Sequence, residues 1–325
     1  MMDLGVMVEG QEDVSWDLWR RFVTTVEDLG FESLWRSDHL FSLSGARTRD
    51  ALDAYVAFAL AAELTKRVKF GPLVSPMTFR HPSILGRMAA QIDELSNGRF
   101  VAGVGAGWNV PEHTAFGIPF PPLGERMDRL EESIRVMKAL WSDGPANFDG
   151  RYYQLQDAEC YPKPVQRPLP IMVGGMGERR TLKIVAELAD EWNSLGVTID
   201  NYKRKSEVLD GYCAAFGRNP SEIKHSQMSG FIVGKDDQGI RRHLVNIGKK
   251  LKSDAIVGSM TADPSNVLAE AKSRGWLVGT PSQVVEELGK REEAGISRIM
   301  LQHHANDDFE VLELLANEVL PQVQR

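Results

Sequence analysis

Short apolar runs alternate along this chain with segments whose apolar residues recur at helical spacing, and this alternation constrains the fold more than any other feature. In the first unit, an apolar run from Leu4 to Val8 precedes a segment in which Trp19, Phe22 and Val26 share one helical face. The pattern repeats about eight times. Such repetition predicts an α/β protein with a parallel sheet, either closed as a barrel or open and doubly wound.

The remaining elements follow from the same periodicity and from turn residues. Asp149-Gly150 predicts a small hairpin insertion, and Thr280 with Gln283 forms a capping box that predicts a helix start. Residues 235–279 are polar and less periodic, so we expect an insertion there within one domain spanning residues 1–325. The predicted strands are Leu4 to Val8, Ser33 to Trp35, Val68 to Val74, Phe100 to Gly105, Ile171 to Val173, Glu191 to Ser194, Met228 to Val233 and Arg298 to Leu301.

Charge and cysteine content narrow the classes of partner and compartment. The net charge of -7 offers no basic surface for nucleic acid. Cys160 and Cys213 are too few for a disulfide framework, which fits a reducing compartment. The chain has no basic leader at its start and no run of about 20 apolar residues, so we expect a cytoplasmic protein that does not enter the membrane.

The residues that follow the strands are the candidates for chemistry, because the carboxyl ends of barrel strands meet at one rim. Asp38 and His39 place a carboxylate and an imidazole after the second strand, a pair that can bind polar ring atoms or move a proton. The alternative is structural: the aspartate caps a turn and the histidine bonds to backbone.

A glycine loop follows the fifth strand. Gly174, Gly175, Met176 and Gly177 lead toward a helix carrying Arg179, so backbone N–H groups, the helix dipole and a guanidinium could together bind a phosphate. The alternative is a turn that needs glycine only for its geometry. The loop lacks the third glycine of a dinucleotide-binding fingerprint.

The end of the fourth predicted strand belongs to the same rim. Gly105 and Gly107 would let a flat ligand approach the backbone, with Trp108 as a wall and Asn109 beside it; Trp108 could equally anchor the loop in the core. No nucleophile elbow, Walker A sequence or metal-ligand spacing is present, so we expect no metal.

Five stretches in this order resemble the luciferase-like monooxygenase superfamily, especially its F420-dependent oxidoreductase branch. The resemblance covers nearly the whole chain and is less specific for the cofactor than for the superfamily. The stretches are FESLWRSDH from Phe31, TKRVKFGPLVSPMTFRHP from Thr65, DELSNGRFVAGVGAGWN from Asp93, IMVGGMG from Ile171 with ADEWN from Ala189, and GTPSQV from Gly279.

The resemblance implies a (β/α)8 TIM barrel with an insertion after a late strand, and a cofactor lying across the carboxyl-end rim. It further implies that Leu73-Val74 is a non-prolyl cis peptide in a bulge that backs the cofactor ring. The residues expected to contact the cofactor are Asp38, His39, Leu73, Val74, Ser75, Gly105, Gly107, Trp108, Asn109, Gly174, Gly175, Met176, Gly177 and Arg179.

One position departs from the sugar-phosphate dehydrogenases of this superfamily. Where those enzymes are expected to carry a proton-donating glutamate, this chain has Trp108, and Glu112 is nearby but displaced. We therefore expect a substrate other than glucose 6-phosphate and a pocket with apolar or aromatic contacts.

The resemblance favours hydride transfer between F420 and a small organic substrate, with His39 as proton donor or acceptor and Asp38 as a contact to the ring or to a partner group. The first alternative is an FMN-dependent monooxygenase that uses reduced flavin and O2. A second is a cofactor-binding protein without turnover. A homodimer is the oligomeric state that the resemblance suggests.

Overall fold

The computed structural model describes residues 2–250 and 264–324. The strands in this part of the chain are β1 (Asp3–Val8), β2 (Ser33–Arg36), β3 (Lys69–Pro72), β4 (Ser75–Pro76), β5 (Ala102–Gly105), β6 (Ala146–Asp149), β7 (Gln154–Ala158), β8 (Ile171–Gly174), β9 (Glu191–Leu195), β10 (Lys224–Val233), β11 (Leu277–Gly279) and β12 (Arg298–His303). The helices are α1 (Trp16–Asp28), α2 (Ala54–Leu64), α3 (Pro82–Leu95), α4 (Val110–Phe116), α5 (Leu123–Trp141), α6 (Thr181–Leu188), α7 (Ile199–Phe216), α8 (Asp237–Lys250), α9 (Pro264–Ser273), α10 (Pro281–Glu293), α11 (Phe309–Glu318) and α12 (Leu320–Val323).

Ten strands form one sheet, whose main path runs β3-β2-β1-β12-β10-β9-β8-β5-β4. Each pairing along this path is parallel, and helices connect the strands. The path begins at β3 and ends at β4, which are consecutive in the chain, and a bridge between Phe70 and Phe100 joins its two ends. The predicted (β/α)8 barrel is confirmed.

The third barrel position is split in two, where the sequence predicted one strand from Val68 to Val74. β3 pairs with β2, whereas β4 pairs with β5. Between them lies the Leu73-Val74 peptide, which is cis as the family resemblance implied. The backbone therefore changes its pairing partner at the position where it forms a bulge.

Two apolar layers hold the barrel together. The larger fills the space between the sheet and the surrounding helices, including Trp19, Phe22 and Phe58. The smaller fills the inside of the barrel, because alternate strand residues point inward and pack against one another. Its buried members are Met7, Trp35, Leu73, Val101, Met172 and Met300.

The amino-terminal end of the barrel is closed by a buried charge network. The guanidinium of Arg298, whose side chain is 2% exposed, donates to Glu191 at 2.6 Å and to Glu32 at 2.7 and 3.0 Å. These three residues lie at or just before the starts of β12, β9 and β2. The network is therefore at the opposite end of the barrel from the strand ends that carry the candidate site.

The predicted hairpin and capping box are both present. β6 and β7 pair in antiparallel fashion around Gly150, and α10 begins with the reciprocal bonds between Thr280 and Gln283. The segment 235–279 contains α8, α9 and β11, and β11 pairs with β10. Residues 251–263 lie outside the described part, so the insertion and the single-domain assignment stay predictions. No helix in the described ranges has the length and apolar character needed to cross a bilayer.

Candidate active site

A cavity of about 700 Å³ opens at the carboxyl ends of the barrel strands. It lies above the inner apolar layer, and Met7 and Leu73 belong to both. The predicted contacts that line it are Asp38, His39, Leu73, Val74, Gly107, Trp108, Asn109, Gly174 and Gly175. The lining does not include Ser75, Gly105, Met176, Gly177 and Arg179.

Asp38 is buried in the cavity wall, with only 4% of its surface exposed. Arg80 donates to both of its carboxylate oxygens, at 2.6 and 3.2 Å, and the hydroxyl of Ser75 donates to it at 2.7 Å. Arg80 also donates to Asp53, the residue that caps α2. Ser75, which the family resemblance implied as a cofactor contact, thus holds Asp38 in place from outside the cavity lining.

His39 pairs with the carboxylate of Glu112, a residue distant from it in the sequence. Its Nδ1 lies 2.9 Å from Oε2 of Glu112, and the other oxygen of Glu112 accepts the backbone N–H of Leu40 at 2.6 Å. Burial by itself would lower the pKa of His39, but the hydrogen bond and charge of Glu112 outweigh it, and Glu9 and Asp38 add to the effect. The pKa of His39 is therefore raised above the usual 6.5.

Trp108 forms an exposed wall at the mouth of the cavity. It is 68% exposed, so it does not anchor its loop in the core. Its ring meets the ring of His39 edge to face, with centroids 5.8 Å apart. Indole and imidazole therefore stand side by side at the place where a ligand would enter.

Val74 fills the space left by two glycines. A methyl group on Gly105 would lie 2.7 Å from Cγ2 of Val74, and one on Gly174 would lie 2.9 Å from its Cγ1. These glycines admit the Val74 side chain, whereas the sequence indicated that Gly105 admits a ligand. Gly107 is different, because its φ of +77° is a conformation that favours glycine.

The glycine loop differs from the sequence-based expectation in its connection to the helix. α6 begins only at Thr181, so Arg179 and Arg180 lie in the preceding turn and not in the helix. Arg180 donates to Asp128 at 2.6 Å. Gly175 has a φ of +133°, and its N–H donates to the carbonyl of Asn193. The loop thus keeps its glycine-dependent turn, while one of its two arginines is already paired.

The two histidines at the end of β12 lie on different sides of the barrel wall. His303 is fully buried beside Phe22 and Phe231 outside the barrel, whereas His304 lines the cavity. Over residues 2–250 and 264–324, no group of three or more His, Cys, Asp or Glu side chains is placed to hold a metal ion.

Comparison with known proteins shows the family of the chain. The model of the family described as luciferase-like monooxygenase matches residues 2–298. The chain belongs to the luciferase-like monooxygenase family. Luciferase-like proteins similar to it include an F420-dependent glucose-6-phosphate dehydrogenase of Kineococcus radiotolerans, 38% identical over 92% of this chain and 91% of that protein.

The names of other relatives and solved structures specify either FMNH(2) or F420. An FMNH(2)-dependent dimethylsulfone monooxygenase of Pseudomonas putida is 25% identical over 97% of this chain and 90% of that protein. A solved F420-dependent secondary alcohol dehydrogenase, in complex with an F420-acetone adduct, has a TM-score of 0.81 at 23% identity over 100% of this chain and 99% of that chain. Luciferase-like relatives of this chain are thus F420- or flavin-dependent oxidoreductases and monooxygenases.

Proposed function

We propose that this protein is an F420-dependent oxidoreductase that transfers a hydride between the deazaflavin and a small organic substrate. The observation that carries the proposal is the pair between the partly buried His39 and the buried Glu112 in the wall of the cavity, beside the Leu73-Val74 bulge. A partly buried imidazole with a carboxylate on one nitrogen is suited to exchange a proton with a substrate. The F420-dependent relative, at 38% identity, favours the deazaflavin.

The cavity fits such a cofactor on two observations. Its wall combines the apolar surfaces of Leu73 and Val74 with exposed backbone at Gly174 and Gly175, which suits a flat ring system with polar edges. The side-chain oxygen of Asn109 is buried in this wall and has no hydrogen-bond partner among the residues that the structure describes. A ring N–H group is the kind of donor that would satisfy it.

We assign the roles within the site as follows. Leu73, Val74, Asn109 and the backbone of Gly174 and Gly175 would hold the cofactor. When bound, F420 supplies C5 of its deazaflavin ring, which gives or accepts a hydride. Arg179, which lies outside the cavity lining, would contact the anionic tail of F420.

The protein's own chemistry centres on His39. Since Nδ1 of His39 bonds to Glu112, Nε2 is the ring atom that exchanges a proton with the substrate. Asp38, whose two oxygens are bonded to Arg80, contributes charge and position and is not the proton carrier. Trp108 covers the mouth and limits the access of water.

The second candidate function is that of an FMN-dependent monooxygenase. The relative from Pseudomonas putida, whose name specifies FMNH(2), supports it because the match covers 97% of this chain. In that case the same cavity would hold reduced FMN and exclude water from it.

A binding titration of the purified protein with F420 and with FMN, followed by fluorescence at low and high salt, tests the proposal. We expect micromolar or tighter binding of F420, weaker binding of FMN, and a loss of F420 affinity at high salt because its tail is anionic. The variant Asn109→Ala should weaken F420 binding, whereas His39→Ala should lower turnover more than affinity. A preference for FMN would favour the monooxygenase, and binding of neither cofactor would refute both assignments.

A further inference from the structure

A further carboxylate, that of Glu9, faces the cavity from the end of β1. Met7, two residues earlier, belongs to the inner apolar layer, so strand alternation directs Glu9 to the inside of the barrel as well. Gln302 lies opposite Met7 in the register of β1 and β12 and also lines the cavity. Its side-chain amide donates to Oε1 of Glu9 at 2.5 Å.

The other oxygen of Glu9 is held by a chain of hydrogen bonds with a defined direction. The N–H of Gly10 donates to the hydroxyl of Ser37 at 3.0 Å, and this hydroxyl donates to Oε1 of Gln11 at 2.5 Å. The Gln11 amide nitrogen then donates to Oε2 of Glu9 at 2.9 Å. Glu9 therefore accepts one hydrogen bond on each oxygen, and each oxygen keeps a lone pair for a further donor.

Glu9 differs in its partners from the other acids of the cavity. Four carboxylates line it: Glu9, Glu12, Asp38 and Glu112. Three contact a basic side chain: Glu12 with Arg49, Asp38 with Arg80 and Glu112 with His39. Within residues 2–250 and 264–324, Glu9 contacts amide donors but forms no ion pair, and no lysine or arginine lines the cavity.

We infer that Glu9 selects the substrate: the cavity takes an uncharged or cationic organic molecule that carries a hydroxyl or amino group, and rejects anionic and phosphorylated molecules. This inference rests on the proposed function, in which the cavity holds the substrate beside the cofactor. A donor group on the substrate would satisfy the remaining lone pairs of Glu9. An anion would lose its hydration in a largely apolar cavity and face the Glu9 carboxylate, which no lysine or arginine among the described lining residues offsets, while the charge of a protonated His39 is already paired with Glu112.

Three ligands that share a cyclohexane ring and differ in charge provide the test: cyclohexanol, cyclohexylamine in its protonated form, and cyclohexanecarboxylate. Their binding to the F420-loaded full-length protein is measured by isothermal titration calorimetry. We expect the alcohol and the ammonium to bind about tenfold or more tightly than the carboxylate. The variant Glu9→Gln should weaken the ammonium about tenfold and improve binding of the carboxylate, whereas Glu9→Asp should keep the wild-type order.

The control variant is Asp17→Asn, which removes one negative charge from a side chain that is 98% exposed on α1. It should leave all three affinities unchanged, because its charge is outside the cavity and screened by solvent. Equal or tighter binding of the carboxylate to the wild type, an unchanged order in Glu9→Gln, or no binding of any ligand at millimolar concentration would each overturn the inference.

The titration with F420 separates this inference from the proposed function. If F420 fails to bind but the protein alone still ranks the three ligands as expected, the charge selection stands and the cofactor assignment falls. If F420 binds and the carboxylate binds best, the cofactor assignment stands and the role of Glu9 falls.

Discussion

Glu112 binds both the side chain of His39 and the backbone that follows it: one carboxylate oxygen lies 2.9 Å from Nδ1 of His39 and the other accepts the N–H of Leu40. The carboxylate is fully buried at the start of α4. It therefore fixes the position of the imidazole and stabilises its protonated form. In a cavity that favours the neutral ring by burial, this pair decides the charge of His39 near neutral pH.

Replacing Glu112 by glutamine is expected to lower the pKa of His39. The amide keeps an oxygen for the Leu40 N–H but lacks the charge that raises the pKa, so burial dominates in the variant. The limb of the pH–rate profile that reports His39 should move to lower pH, and kcat/KM at the optimum should fall roughly tenfold. An NMR titration of the His39 ring gives the pKa directly.

The control for this variant is Glu125→Gln, which removes a carboxylate paired with Arg129 on the half-exposed face of α5. It should leave the pH–rate profile in place. A His39 pKa that is the same in wild type and Glu112→Gln would remove Glu112 from its positioning role.

Replacing Arg80 by methionine is expected to destabilise the fold by about 3–5 kcal/mol, because it removes the cation that is hydrogen-bonded to the buried Asp38 carboxylate. Ser75 would still donate to Asp38, but a hydroxyl does not offset a buried charge. Urea unfolding at neutral pH measures the free energy of unfolding. The matched control is Arg20→Met, which breaks an exposed pair with Asp17 and should cost less than about 1 kcal/mol. A similar loss in the free energy of unfolding for the two variants would contradict the larger contribution expected of the buried Arg80–Asp38 pair.

The fold could be predicted from the sequence because its signals are local. Alternation of strand and helix periodicity indicated a parallel α/β sheet, and the family resemblance implied that the sheet closes as a barrel. The Thr280–Gln283 capping box indicated the start of α10. The candidate site was predicted only in outline, since the strand ends identify which residues meet at the rim but not which of them pair.

The missed contacts join residues that are far apart in the chain. Glu112 is 73 positions from His39, and Asp128 is 52 positions from Arg180. Helix spacing from Asn109 could have placed Glu112 on the first turn of α4, but no local pattern specifies the imidazole it reaches. Local patterns could not predict the contacts of Val74 with Gly105 and Gly174 either, because these three residues come together only when separate parts of the chain meet in the folded barrel.

Replacing Gly105 by alanine is expected to disturb the Leu73-Val74 bulge. The added methyl would lie 2.7 Å from Cγ2 of Val74, and a β-branched side chain has little freedom to move away. We expect a loss of about 1–3 kcal/mol in the free energy of unfolding and weaker binding of the cofactor. Thermal unfolding and an F420 titration measure the two effects.

Two further variants check the Gly105 prediction. Gly124→Ala adds a methyl with nothing within 4 Å, in helix α5, and should be neutral or slightly stabilising. The double variant Gly105→Ala with Val74→Ala removes the branched side chain and should regain stability relative to Gly105→Ala alone. If the double variant is less stable than Gly105→Ala, the clash with Val74 is not the cause.

Replacing Arg298 by methionine should destabilise the protein in a way that depends on pH. Burial would raise the pKa of Glu32, but the charge and hydrogen bonds of Arg298 lower it to about 2. Because the folded pKa is depressed, the stability that this pair contributes is present above the unfolded pKa of about 4.5 and is lost as the pH falls toward 2.

We expect the free energy of unfolding of Arg298→Met to be about 3–5 kcal/mol below that of the wild type near neutral pH, and this deficit to shrink as the pH falls. Urea unfolding at about pH 7, 5 and 3 measures it. Arg167→Met, which breaks a pair with Asp143, 86% exposed, should show no such trend. A deficit in Arg298→Met that stays constant with pH would mean that the methionine acts through packing alone.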